Sequence, residues 1–215
     1  MLPVIPMPQL VFFPETFIDI SVVEESYRQM VSSVRTHQRP IGIFLARDSK
    51  VGPLLASCAP IGTFGRIVKY EQGAGGVDKL TLQGRFRGRL ERFEQVEPYP
   101  LARIEALSDH LHPDSPEALE SALNELIGLV QSFKPAEDRV RVQLPPVESW
   151  NRLFSMLLNS VAMLLPVKAE KKQEWLVQND LLVRYGLMRE EMRRLLQFNG
   201  LLEAIPPPGV DPSQN

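Results

Sequence analysis

The hydrophobic residues change period near residue 110, and that change constrains the fold more than any single motif. Before it, apolar residues come in short alternating runs broken by glycine and proline; after it, they recur every three or four residues in long stripes. A period of two buries one face of a strand, and a period near 3.6 buries one face of a helix. The expected class is therefore α+β: a β-rich unit over residues 1–108, a helical unit over 109–200, and a proline-rich, loosely docked tail over 201–215.

In the first unit, Pro3, Pro6, Pro8 and Pro14 deny a helix to the opening LPVIPMPQLVFFPE, which reads as extended chain. Phe17–Val22 alternates as a strand. One helix is inserted over Glu24–His37, with Tyr27, Met30, Val31 and Val34 on one face and Pro40 beyond its end. Further strands are expected at Ile41–Ala46, Ile61–Tyr70, Lys79–Gln95 and Leu101–Leu107. The glycines of EQGAGGVDK suggest a hairpin between the middle two. That loop lacks the Gly-Lys-Ser/Thr and following helix of a phosphate-binding P-loop.

In the second unit, Ser115-Pro116-Glu117 is a helix start, with Leu119, Leu123, Leu126, Val130 and Phe133 on one face. After a linker over 139–146, Trp150, Leu153, Phe154, Leu157, Leu158, Val161, Leu164 and Leu165 make a wide stripe that stops at Pro166. A short helix over Lys168–Gln178 follows. Asn179 or Asp180 can cap the last helix, whose face is Leu181, Tyr185, Met188, Met192 and Leu195, and Gly200 suits its C-terminal stop. Each stripe reads as core packing.

The stretch LQGRFRGRLERF, Leu82–Phe93, carries four arginines and two phenylalanines. Strand alternation puts Leu82, Gly84, Phe86, Gly88 and Leu90 on one face and Arg85, Arg87 and Arg89 on the other. RNA binding by arginine and stacked aromatics needs both on one face. The favoured reading is a strand that buries Leu and Phe and shows Arg to water, with Gly84 and Gly88 marking bends or bulges. The net charge of -2 gives the whole chain no pull toward polyanions.

Chemistry-bearing constellations are sparse. Cys58 is the sole cysteine, and His110 and His112 flank a single leucine, too few ligands for a metal site. There is no Gly-x-Ser-x-Gly elbow, and Ser213 of Asp211-Pro212-Ser213 has too little chain after it to build a base and an oxyanion site. No catalytic residue, metal or cofactor is expected. The N-terminus is not a signal peptide and no run is long enough to span a membrane, so a cytoplasmic location is expected.

Taken in order, these segments resemble a known family. Leu2, Pro3, Pro6, Val11, Phe12, Phe13 and Pro14 resemble the opening of the LON N-terminal domain. Tyr27-Arg28-Gln29-Met30-Val31 resembles its first helix, Ile41-Gly42-Ile43, Ile61-Gly62-Thr63 and Gly65-Arg66-Ile67 its next strands, and Leu82–Arg87 its Gly-Arg-x-Arg strand. Leu101–Glu105 is similar to its closing strand, and Leu164-Leu165-Pro166 with Glu170–Gln173 to its helical part. Glu15 stands where the family often has glycine. The resemblance implies a PUA-like β pseudo-barrel with one inserted helix, followed by a C-terminal α-helical bundle.

It also implies a non-catalytic, stand-alone module that binds unfolded or exposed hydrophobic protein segments, because no Walker A motif and no protease domain of the Lon family (peptidase S16) is present in the sequence. The native-looking start and proline-rich tail are read as those of a complete small protein. Expected partners are unfolded or partly folded polypeptides, with a protease or chaperone alongside; nucleic acid and membrane are not favoured. Phe12, Phe13 and Phe17 are the candidate apolar contacts, and Arg85 and Arg87 a candidate polar rim. The alternative is a PUA-like RNA-binding protein relying on Arg85 and Arg87, and a third reading is peptidase activity carried over from full-length Lon.

Overall fold

A computed structural model describes residues 1–46, 57–73, 76–111, 115–139 and 142–203, with no side-chain detail for 199–203. His112, Asp211-Pro212-Ser213 and residues 204–215 of the tail lie outside the described residues.

Six strands form one sheet: β1 (Leu2–Pro8), β2 (Phe17–Val22), β3 (Ile41–Ala46), β4 (Ile61–Gln72), β5 (Asp78–Gln95) and β6 (Leu101–Leu107). Their order is β2-β5-β4-β3-β1-β6, and β6 also pairs with β5. The pairings β5–β4–β3–β1–β6–β5 therefore close a ring, which removes most open edges. β1 and β3 run parallel, with Ile5 beside Ile43; the other neighbours are antiparallel. β2 hangs on β5 alone, outside the ring.

The 18-residue β5 serves three neighbours, and it can do so only by breaking register. Phe64 faces Phe86 but Gly65 faces Gly84, so Arg85 is an extra residue in β5. Gly84 is required there: a Cβ would stand 2.4 Å from the Phe13 carbonyl oxygen. Gly88 backs the Phe64 ring, where a Cβ would come within 2.6 Å. The β4–β5 hairpin forms as expected, with the Gly73 amide donating to the Val77 carbonyl at 2.8 Å.

Glu15 precedes β2 with φ +60°, a left-handed conformation that favours glycine, and its amide donates to the Gly84 carbonyl at 3.0 Å. The turn geometry is kept although the side chain is not the one the geometry prefers.

The helices are α1 (Glu25–His37), α2 (Pro116–Ser132), α3 (Trp150–Leu164), α4 (Ala169–Val177) and α5 (Leu181–Glu203). Ser115 caps α2, accepting from the Ala118 amide, and Asp180 caps α5, accepting from Leu182 and Val183. Two expectations are corrected. α5 runs through Gly200 to Glu203 instead of stopping at Gly200. Leu164 is exposed, because α3 ends at that residue and its stripe leaves the core there.

The core has three parts. One fills the ring from Val4, Phe44, Phe64, Leu90 and Ala102. A second packs α1 on β2 and β5 through Met30, Val31, Val34, Ile18, Ile20, Leu80 and Leu82. The third joins Val11, Phe13, Leu45, Ala59 and Ile61 to Leu119, Phe154, Leu158, Trp175, Tyr185 and Met188, so the sheet and the helices share buried surface.

Candidate functional site

Two features stand out in this frame: an open strand edge at its surface and a buried polar lock between sheet and helices.

The open edge is that of β2. Its alternation buries Ile18, Ile20 and Val22 and exposes Phe17, Asp19 and Ser21. β5 takes one edge of β2, and no described strand takes the other. Facing it is β1, whose residues Ile5–Pro8 pair only with β3, since β6 reaches only Leu2 and Pro3. A cavity of about 270 Å³ separates the two strands, lined by Ile5, Met7, Ile20, Val22, Val23 and Tyr27, with Glu24 among its polar lining. Phe17 is 59% and Val23 65% exposed, one at each end of β2. Burial and the Glu24 carboxylate raise the Tyr27 hydroxyl above its ordinary value, so it stays a neutral donor at neutral pH. An unpaired edge beside an apolar cavity is the geometry of strand addition: main-chain hydrogen bonds take any sequence, and the cavity selects a side chain.

The polar lock centres on Arg87. Arg87 is 1% exposed and Arg184, on α5, is fully buried. Both guanidiniums reach Oδ1 of Asp109, at 2.5 Å and 2.8 Å. Arg87 also donates to the carbonyls of Leu176 and Ser108, and Arg184 to those of Trp175 and Gln178 and to Oδ1 of Asn159. Two positive charges thus meet one carboxylate and the carbonyl end of α4, where the helix dipole is negative. Burial lowers the Arg87 pKa, Asp109 opposes the shift and Arg184 adds to it, which together leave it at about 10. The Gln173 side chain adds a further tie, donating to the Ile61 carbonyl at 2.9 Å.

The proposed site residues are therefore split. Phe12 and Phe13 are buried, in the α1-side core and the shared core respectively, and offer a partner no surface. Phe17 is exposed on the open edge. Arg85 is exposed and leans on Gln83, whereas Arg87 points inward, so the expectation that both arginines face water is corrected for Arg87. Beyond Arg85 the alternation still leaves Arg89 exposed and Leu90 buried; Arg87 is buried because Asp109 and the end of α4 cover it. Arg89 faces Glu105, and Arg92 and Arg103 face Glu94, so the rest of the strip is neutralised.

Asp109, Asn159 and Arg184 were not singled out from sequence. Arg184 had a legible signal, since it falls at i+3 from Leu181 on the apolar face of α5. Among the described residues no group of three His, Cys, Asp or Glu could hold a metal ion, and no helix is long and apolar enough to cross a membrane.

Comparison with known proteins gives the arrangement a family. Residues 1–194 match the family model described as the ATP-dependent protease La (LON) substrate-binding domain. The Lon protease of Citrifermentans bemidjiense is 26% identical over 208 residues, covering 94% of this chain and 25% of the relative. That of Syntrophus aciditrophicus is 33% identical over 141 residues, covering 62% of this chain and 18% of the relative. The chain thus spans about a quarter or less of these relatives, and the match does not extend to their remaining length. Two solved structures share the fold. The Lon N-terminal domain protein from Xanthomonas campestris has a TM-score of 0.63 at 21% identity, covering 87% of this chain and 95% of that one. The N-terminal domain of Mycobacterium avium complex Lon protease has a TM-score of 0.65 at 15% identity, covering 89% and 97%. Its sequence order, its mixed sheet-and-helix architecture and this match over nearly all its length agree: the chain belongs to the LON substrate-binding domain family.

Proposed function

We propose that the chain is a non-catalytic, cytoplasmic protein-binding module that holds unfolded or exposed hydrophobic polypeptide segments as an added strand on the open edge of β2. The observation that carries this reading is the unpaired β2 edge beside the apolar cavity, flanked by exposed Phe17 and Val23. Edge recognition suits a module that takes many sequences, because backbone groups supply the contacts and one pocket supplies modest selectivity. The family description as a substrate-binding domain supports the same class of partner. In this reading the 1–108 unit carries the site and the 109–200 unit braces it through the shared core. The RNA alternative loses the arginine pair on which it rested, since Arg87 is interior.

The test is a titration of the purified chain with an unfolded model protein and with short apolar peptides. Saturable binding weakened about tenfold or more by Phe17→Asp with Val23→Asp is expected, at a cost of about 1.4 kcal/mol or more of binding energy. No saturable binding at high micromolar concentration, or unchanged binding in the variant, sinks the proposal.

A further inference from the structure

A second surface carries a different chemistry. Between the C-terminal end of α1 and the outer face of β4 lies a cavity of about 360 Å³, lined by Val34, Arg35, Gln38, Arg39, Arg66 and Tyr70, among others, with no carboxylate in its wall. Three arginines line it. Among the described residues none of the three has a carboxylate partner, whereas Arg28, Arg89, Arg92 and Arg193 each face one.

The Arg35 guanidinium stacks on the Tyr70 ring, 3.7 Å from its centroid. Stacking uses the flat face of the guanidinium and leaves its in-plane N–H donors free for an acceptor. It also holds the group in place beforehand, which lowers the entropy lost on binding. The negative end of the α1 dipole opposes an anion here, but it amounts to roughly half a charge against three full ones. Its carbonyls are moreover turned to other work: the Arg39 amide donates to the Val34 carbonyl and the Gln38 amide to that of Arg35, with Gln38 at φ 51°.

We propose that this cavity binds a phosphate monoester dianion through Arg35, Arg39 and Arg66. The guanidinium fork matches phosphate oxygens, and a dianion offsets three positive charges better than a carboxylate does. The cavity has room for the phosphate and a small attached group. A nucleic-acid chain would need a continuous positive track, and the track stops at once: Lys69, next along β4, is neutralised by Glu71 at 2.8 Å.

The test is calorimetric titration of the intact chain, at low ionic strength, with inorganic phosphate, phenyl phosphate, acetate and a short RNA. Saturable binding of phosphate or phenyl phosphate, stronger than that of acetate and weakened about tenfold or more by Arg39→Gln with Arg66→Gln, is expected. Tighter phenyl phosphate points to an organic monoester, and equal affinities to free phosphate; both support the site. All three substituted arginines, with Arg85→Gln as the off-site control, are exposed, and an unchanged melting temperature verifies the fold. The proposal is overturned by absence of saturable binding at tens of millimolar, by a double variant that binds as the parent does, by an equal loss in Arg85→Gln, or by RNA binding tighter than either phosphate through the same arginines.

Discussion

Arg87 illustrates how a residue's meaning depends on what surrounds it. It sits in the most basic stretch of the chain, yet it is a buried tie between sheet and helices. Removing its carboxylate leaves two buried guanidiniums without a counter-charge, so Asp109→Ala is expected to cost about 3–5 kcal/mol in a denaturant melt. Arg85→Ala, in contrast, is expected to stay within about 0.5 kcal/mol of the parent in the same melt, because its side chain is exposed. Glu125 provides a pH test. Burial raises its pKa, but Tyr185, Arg189 and Arg193 outweigh that and leave it below its ordinary 4.5. A carboxyl depressed in the folded state adds stability that is full above the unfolded value and fades as pH falls through the folded one. Glu125→Gln should therefore lose less stability than the parent between about pH 5 and pH 3, read from melting temperatures across that range. Glu15 is the residue whose side chain conflicts with its backbone: with φ at +60°, Glu15→Gly should cost nothing, while Glu15→Val should lose about 1–2 kcal/mol.

At the scale of elements, the sequence patterns located the six described strands and the five α-helices, but not the short 3-10 turns at Ala136–Asp138 and Val147–Ser149, and some helix ends followed local chemistry. Ser115 and Asp180 start helices because their side-chain oxygens accept free amides, which any reader of the sequence can anticipate. β5 is different. Its alternation, read straight through, puts Arg87 in water, but Asp109 and the end of α4 cover it; its register on β4 also breaks at an extra residue, Arg85, and no local signal beyond the two glycines marks that bulge. Gly84→Ala tests whether that bulge is required. Its Cβ would meet backbone at the Phe13 carbonyl, which cannot yield as a flexible side chain can, so a loss of about 1–3 kcal/mol is expected in thermal unfolding.

For the whole molecule, the decisive fact is the core shared by sheet and helices. Val11, Phe13, Ala59 and Ile61 are buried against helical residues, and Arg87 finds its partners there. Residues 1–108 alone would expose that apolar face and strand a charged side chain. They are expected to lose the cooperative thermal transition that the intact chain gives by circular dichroism; a sharp, unshifted transition in the fragment would refute the shared-core account. The same packing explains why Phe12 and Phe13 are buried and present no surface. A Phe-Phe pair between prolines is equally consistent with surface and core, and only the arrival of Gly65, Gly84 and the helices over them decides it.

By itself, the sequence determined the class of fold, the identity and order of the main elements and the family, because these rest on interactions between residues near in the chain or on patterns repeated along it. The tertiary structure decided what long-range pairing alone can decide: that the β2 edge stays open, that Arg87 turns inward to share Asp109 with Arg184, and that Arg35, Arg39 and Arg66 face one cavity. Each of those depends on register and on elements far apart in sequence, and a shift of one residue in register exchanges the inside of a strand for its outside.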